Sequence, residues 1–261
     1  MDIAVVIVAV VLGLLLGSFA NVVIHRVPEG ESVVHPRSAC PGCGTQIAAA
    51  DNIPVLSWLV LRGRCRHCRE PISPRYPLVE LASGALFGLV AWQVGLTPLL
   101  PAFLAFVWVL LVLSVIDART RRIPNAITYP AVPVLLVLVV GGALAEGDLA
   151  AAIRSPLAGL AAFAALLVIA LITPKGMGMG DVKLAGLMGI VLGSLSWPHV
   201  LLGVFGGFLV GGVTAIVLLV LRVRRRRDLI PFGPYLAAGA LAALLYGEPL
   251  IDAYLHSVGL R

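Results

Sequence analysis

The sequence predicts an all-α integral membrane protein of about eight transmembrane helices, with a cytoplasmic zinc-binding loop between the first two. Three observations carry this. Hydrophobic residues fill 60% of the 261 positions and charged residues only 12%, with a mean hydropathy of +1.03. Soluble domains hold about 45–50% apolar and about 25% charged residues, and disordered chains have the opposite balance. Apolar stretches long enough to cross a bilayer recur with short polar breaks. All four cysteines fall in the one long polar segment, 25–77.

Taken in order, the expected spans are Ile3–Ile24, Leu78–Val94, Pro98–Ile116, Ala126–Ala145, Pro156–Thr173, Val182–Trp197, Val200–Leu221 and Ile230–Tyr246. The first reads as a retained helix rather than a cleaved signal peptide, because its positive charges follow it. The sixth is short and glycine-rich. Three regions follow from this: a first helix over 1–24, a four-cysteine loop over 25–77, and a membrane domain of about seven helices over 78–261.

With eight spans, 17 of the 19 Lys and Arg residues fall on one side, and only Arg154 and Arg261 on the other. The positive-inside rule makes the rich side cytoplasmic. Both termini are then outside, and the cysteine loop is in the cytoplasm. The net charge of +6 reports orientation and anionic lipid, as in the basic run Arg222–Asp228, and implies no nucleic-acid partner. No internal repeat is visible, so an inverted-repeat transporter has no positive support. Gly13-x3-Gly17 and Gly207-x3-Gly211 read as helix-packing motifs.

The loop carries Cys40-Pro-Gly-Cys43 and Cys65-Arg-His-Cys68, two C-x2-C pairs separated by 21 residues. Each pair presents two thiolates to one ion, and together they complete the four-thiolate shell of a structural zinc site. Disulfides are disfavoured in a reducing cytoplasm. A closed shell has no open position for catalysis, so the metal should fold the loop.

Two acidic residues stand at the ends of apolar spans, where charge is expensive. Asp117 closes the third span, and Asp181 opens the sixth in Gly176-Met-Gly-Met-Gly-Asp181-Val-Lys183. Both fall at the cytoplasmic face on different helices. A pair of carboxylates sharing a site holds one proton between them. The ionised partner can take a proton from an attacking water, while the protonated one bonds the carbonyl oxygen. The glycines before Asp181 let backbone approach an extended substrate. The same residues are also compatible with interfacial ion pairs, Asp117 with Arg119, Arg121 or Arg122 and Asp181 with Lys183. Relay carboxylates of an ion or proton transporter are a further alternative. Glu80 can pair with Arg75, or hold a cofactor or substrate amine.

Gly178-Met-Gly180-Asp181 matches the G-x-G-D signature of intramembrane aspartic proteases. Further stretches resemble the type IV prepilin peptidase family: Gly17-Ser-Phe-Ala-Asn21-Val-Val-Ile-His-Arg26, Cys40-Pro-x-Cys43, Asp51-Asn-Ile-Pro-Val-Leu-Ser-Trp58, Arg62-Gly-Arg-Cys-Arg-x-Cys68, Ile72-Ser-Pro-Arg-Tyr-Pro-Leu-Val-Glu80, Asp117 with Ile123-Pro124-Asn125, and Ile230-Pro-Phe-Gly-Pro234. They run in the family's order along nearly the whole chain. The resemblance implies that Asp117 and Asp181 are the catalytic pair, supported by Gly178, Gly180, Lys183, Pro124 and Asn125. It implies cleavage of a basic leader from prepilins and pseudopilins at the cytoplasmic face, in the service of type IV pili or protein secretion. Members with the cysteine loop also methylate the new N-terminus with S-adenosylmethionine. Ala20 and His25 depart from the pattern, where more apolar or aromatic residues are expected. The motifs leave the methyl-donor site unassigned.

Overall fold

A computed structural model describes residues 2–173, 177–221 and 231–259. Lys175, Gly176, the basic run Arg222–Asp228, Ile230 and Arg261, which enter the charge and motif readings, lie outside the described residues. Nine α-helices and no β-strand occur among the described residues. The chain forms two compact units that divide at 96/97. The expected break by polarity was at 77/78. Packing moves it, because the second long helix lies against the first.

In the first unit, α1 (Ile3–Arg26) and α3 (Arg75–Val94) pack along one another. Asp2 starts α1 by accepting the Ala4 N–H at 3.0 Å, which satisfies a donor the helix leaves free. The two helices approach through Gly13 and Gly17. A methyl group on Gly17 would lie 2.7 Å from the Glu80 Cα, so this pair of glycines is the expected packing motif. Between the helices run two 3₁₀ turns (Val27–Glu29 and Ala49–Asn52) and a short helix α2 (Leu56–Val60). The Arg26 guanidinium ties the start of this loop by donating to the carbonyls of Ser32 and Pro36 at 2.9 and 2.8 Å. Trp58 ties its end: the indole N–H donates to Ile72 O at 3.1 Å, and the ring covers Gly63.

The second unit holds α4 (Leu100–Thr120), α5 (Asn125–Ala145), α6 (Leu149–Ile172), α7 (Met179–Leu195), α8 (Trp197–Val220) and α9 (Gly233–Ser257). α7 touches each of the other five, and Leu184–Ser194 is an unbroken buried run. Small residues allow this. A methyl group on Gly189 would sit 2.8 Å from Gly159 Cα of α6, and one on Gly193 would sit 2.7 Å from Ala158 Cβ. Such backbone approach is how helices associate where no water drives them together. Arg154 of α6 closes the far end of α7, donating to the carbonyls of Gly193, Ser194 and Leu195 at 2.6, 2.7 and 3.1 Å. On α8, Gly207 and Gly211 meet Leu236 and Phe232 at the α9 contact.

Among the described residues, seven helices are long and apolar enough to cross a membrane: α1, α3 to α6, α8 and α9. The expected sixth span is α7. Its 17 residues rise about 25 Å, short of a hydrocarbon core of about 30 Å, but it is enclosed by protein. Among the described residues, seven of the eight expected spans are thus long enough to cross, and α7 is the one that is not. Two boundaries differ from expectation by more than four residues. α6 starts at Leu149 rather than Pro156, because Asp148 caps it by accepting the Ala151 N–H at 2.8 Å and Pro156 lies inside the helix. α9 runs past Tyr246 and Pro249 to Ser257.

The tight α6–α7 contact predicts that Gly189→Val lowers stability by about 1–3 kcal/mol, the usual range for overpacking. Gly141→Ala, which meets nothing within 4 Å, should cause no loss. Thermal unfolding of both variants in detergent would compare them directly.

Candidate active site

Asp117 lies one turn before the end of α4 and is 5% exposed. The helix stops at Arg121, whose left-handed backbone (φ +55) turns its N–H onto Asp117 O at 2.8 Å. The Asp117 carboxylate reaches across to α9, where Oδ2 accepts the Gly233 N–H at 2.8 Å. That N–H belongs to the first residue of a helix and has no partner within it. Only glycine fits there: a methyl group would stand 2.9 Å from Oδ2 and 3.2 Å from Cγ of Asp117.

Asp181 lies in the first turn of α7, with its N–H on Gly178 O at 3.1 Å. The connection between α4 and α5 holds this turn in place. Ile123 presses on Gly180, 2.8 Å from where a methyl group would be. Two residues past Asp181, the Lys183 ammonium donates to Asn125 Oδ1 and lies 5.0 Å above the Tyr129 ring. Pro124, in extended conformation, caps α5, and its carbonyl accepts from Ile127 and Thr128. Gly178, Gly180, Lys183, Pro124 and Asn125 therefore gather around one turn.

The helices that carry the two carboxylates, α4 and α7, touch, and Ile123, six residues past Asp117, packs on Gly180 next to Asp181. The expected ion pairs do not form. Lys183 is turned to Asn125 and Tyr129, and among the described residues no ion pair joins Asp117 to Arg119, Arg121 or Arg122. The Gly233 contact was not foreseen. Pro231-Phe-Gly-Pro234 stood out only as part of a resemblance, and nothing in its spacing tied it to an aspartate 116 positions away.

In the first unit, the ligand atoms of Cys40, Cys43, Cys65 and Cys68 all lie within 4.8 Å of one another, and the thiols are free. Cys40 Sγ and Cys68 Sγ are 3.7 Å apart. That is close to the edge of a zinc tetrahedron with bonds of about 2.3 Å, about 3.8 Å. The two C-x2-C turns are built alike, 25 positions apart, though no repeat shows in the sequence. Cys40 N–H bonds Thr45 O, as Cys65 N–H bonds Glu70 O. Gly44 N–H bonds Cys40 O, as Arg69 N–H bonds Cys65 O. Gly44 and Arg69 share a positive φ, +69 and +61.

The sulfurs compete for protons. The Thr45 hydroxyl and backbone N–H pull the Cys43 thiol down to about 6. At Cys68 the Glu70 N–H lowers the value, but desolvation and the three neighbouring sulfurs outweigh it and push the thiol to about 12. Four thiols this close ionise together only around a cation, so the donor set fits a divalent ion. Beside them the Arg66 guanidinium donates to both carboxylate oxygens of Asp51, at 2.5 to 3.1 Å. This holds the Asp51 carboxyl below its usual range.

Glu80 does not pair with Arg75. Arg75 lies over the Tyr76 ring at 5.2 Å, and the Glu80 carboxylate accepts the backbone N–H of Val55 at 2.7 Å.

Residues 11–94 match the family described as the bacterial peptidase A24 N-terminal domain, and residues 104–216 match the type IV leader peptidase family. Among curated proteins, the prepilin leader peptidase/N-methyltransferase of Stutzerimonas stutzeri is 38% identical, over 97% of this chain and 94% of its own length. Its counterpart in Pseudomonas aeruginosa is 36% identical (99% and 96%). That of Aeromonas hydrophila is 40% identical (93% and 91%). No solved structure matches.

The Lys183–Asn125 bond predicts coupling between its two ends. Lys183→Met and Asn125→Ala should each destabilise the chain, and the double variant should lose less than their sum by about 1 kcal/mol. A double-mutant cycle read by unfolding measures this, and strict additivity would show that the contact carries no energy.

Proposed function

The chain belongs to the type IV leader peptidase family, and on that footing we propose that it cleaves the basic leader from prepilin-like proteins with Asp117 and Asp181, then methylates the new N-terminus. The observation that supports the assignment is that α4 and α7, each carrying one of the two aspartates, touch, with Ile123 of the segment after Asp117 packed on Gly180 beside Asp181. In this reading the ionised carboxylate takes a proton from water as its oxygen attacks the scissile carbonyl. The protonated carboxyl donates to the carbonyl oxygen. When the tetrahedral centre collapses, the amine leaves with a proton and the C–N bond breaks. The Gly233 N–H keeps Asp117 aimed through the cycle.

Methylation moves a methyl group from the sulfonium of S-adenosylmethionine to the freed amine, which loses a proton. The donor's binding residues are left unassigned. The four cysteines would hold a structural zinc, which supplies folding energy to the loop over 25–77 and leaves no coordination position for substrate. The membrane part following it would carry the peptidase. The asymmetry of 17 cations to 2 supports an inner-membrane protein with both termini outside and the aspartates at the cytoplasmic face. There a leader can be cut from an apolar helix without drawing its charges across the bilayer. Prepilins and pseudopilins, whose charged leader precedes such a helix, are the substrates this arrangement suits.

Two outcomes follow. With purified protein, a prepilin and S-adenosylmethionine, Asp117→Asn and Asp181→Asn should each abolish leader removal, read as a mobility shift, and either variant still cutting would remove that residue from the pair. Purified wild type should contain about one zinc per chain. Cys40→Ser or Cys65→Ser should lose the metal and impair methylation more than cleavage, as mass spectrometry of the product N-terminus would report.

A further inference from the structure

The most strained backbone of the first unit is at Val55, in the connection between the second 3₁₀ turn and α2. Its φ and ψ are +61° and −49°, and the Leu56 N–H closes onto Pro54 O at 2.6 Å. This is a γ-turn with positive φ at its apex, a rare and strained form. A β-branched residue there is a genuine outlier. Strain of this kind persists only where its surroundings impose it, and it gathers at functional sites.

What imposes it here is Glu80. The turn uses the Leu56 N–H and the Pro54 carbonyl but leaves the Val55 N–H pointing outward. That N–H is taken at 2.7 Å by Glu80 Oε2. Glu80 is 8% exposed, and its Cα lies against Gly17. One turn away, Asn21 Nδ2 donates to Tyr76 O at 3.0 Å and pins α1 to the start of α3. The acceptor is therefore built into the rigid helical pair, and a charge-assisted bond from it is a strong one.

The clamped residue has leverage over the cysteine turns. Four residues before it, Asp51 holds Arg66, which lies between Cys65 and Cys68. Three residues after it, Trp58 covers Gly63 and bonds Ile72, bracketing the same turn.

We propose that Glu80 is a positioning residue for methyl transfer. It holds the strained Val55 turn and so seats the four-cysteine loop on the α1–α3 pair, without a part in peptide cleavage. The methyl-transfer half rests on the reading that the loop serves methylation.

The test uses full-length, zinc-loaded protein in detergent, with amide exchange of loop peptides and both activities measured on the same samples. Glu80→Ala should speed exchange over residues 51–72 by about tenfold or more and lower the methylation kcat, with cleavage within about twofold of wild type. Glu80→Gln keeps an oxygen that accepts the Val55 N–H and should stay close to wild type. Val55→Gly relaxes the turn, since glycine adopts positive φ freely, so Val55→Gly/Glu80→Ala should regain protection and methylation. If Glu80→Ala fails to accumulate, the double variant should accumulate better. Unchanged exchange in Glu80→Ala, or no rescue by glycine, overturns the clamp. Faster exchange with glycine rescue but unchanged methylation leaves the clamp standing and overturns the link to methyl transfer.

Discussion

Helices inside a bilayer gain little from excluding water, so their association depends on how closely their backbones can pack. In the six-helix unit that constraint falls on α7. Gly186, Gly189 and Gly193 give it a face with almost no side chains, against which Ala158, Gly159 and Phe163 of α6 fit. With α4, α5, α8 and α9 also touching it, α7 has no freedom to slide or rotate. Asp181 stands in its first turn, just before the buried run begins. The carboxylate therefore inherits its position from the packing of the whole helix.

The two aspartates also find similar electrostatic settings. A helix N-terminus carries partial positive charge from unpaired N–H groups. Asp181 stands in the first turn of α7, and Asp117 reaches the first N–H of α9. Asp117 is near the C-terminus of its own helix, an unfavourable place for an anion, and α9 offsets that. Each of the two carboxyl groups is held beside a positive helix end. The cation nearest in sequence to Asp181, Lys183, is kept occupied by Asn125 and Tyr129.

Much of this was readable in the chain. Apolar run lengths located the helices, glycine pairs located two interfaces, and the spacing of Cys40, Cys43, Cys65 and Cys68 located the metal-ligand cluster, because each signal is local. Pro156 misled as a breaker because the Asp148 cap starts α6 a full two turns earlier. The likeness of the two cysteine turns was hidden because it lies in backbone bonds, which Gly44 and Arg69 support equally despite their different side chains. Glu80 and Val55, 25 positions apart, and Asp117 and Gly233, 116 apart, were out of reach for a related reason. Each bond joins a side chain to a backbone N–H, and a backbone N–H leaves no mark on residue type.

The contact between Asp117 and Gly233 bears on how such a chain is made. A ribosome delivers α4 and α7 well before α9, so a growing chain holds both carboxylates before it holds the N–H that orients one of them. The Asp117 carboxylate therefore waits through 116 positions of synthesis for its partner, and its orientation is settled only when α9 docks on the helices made before it.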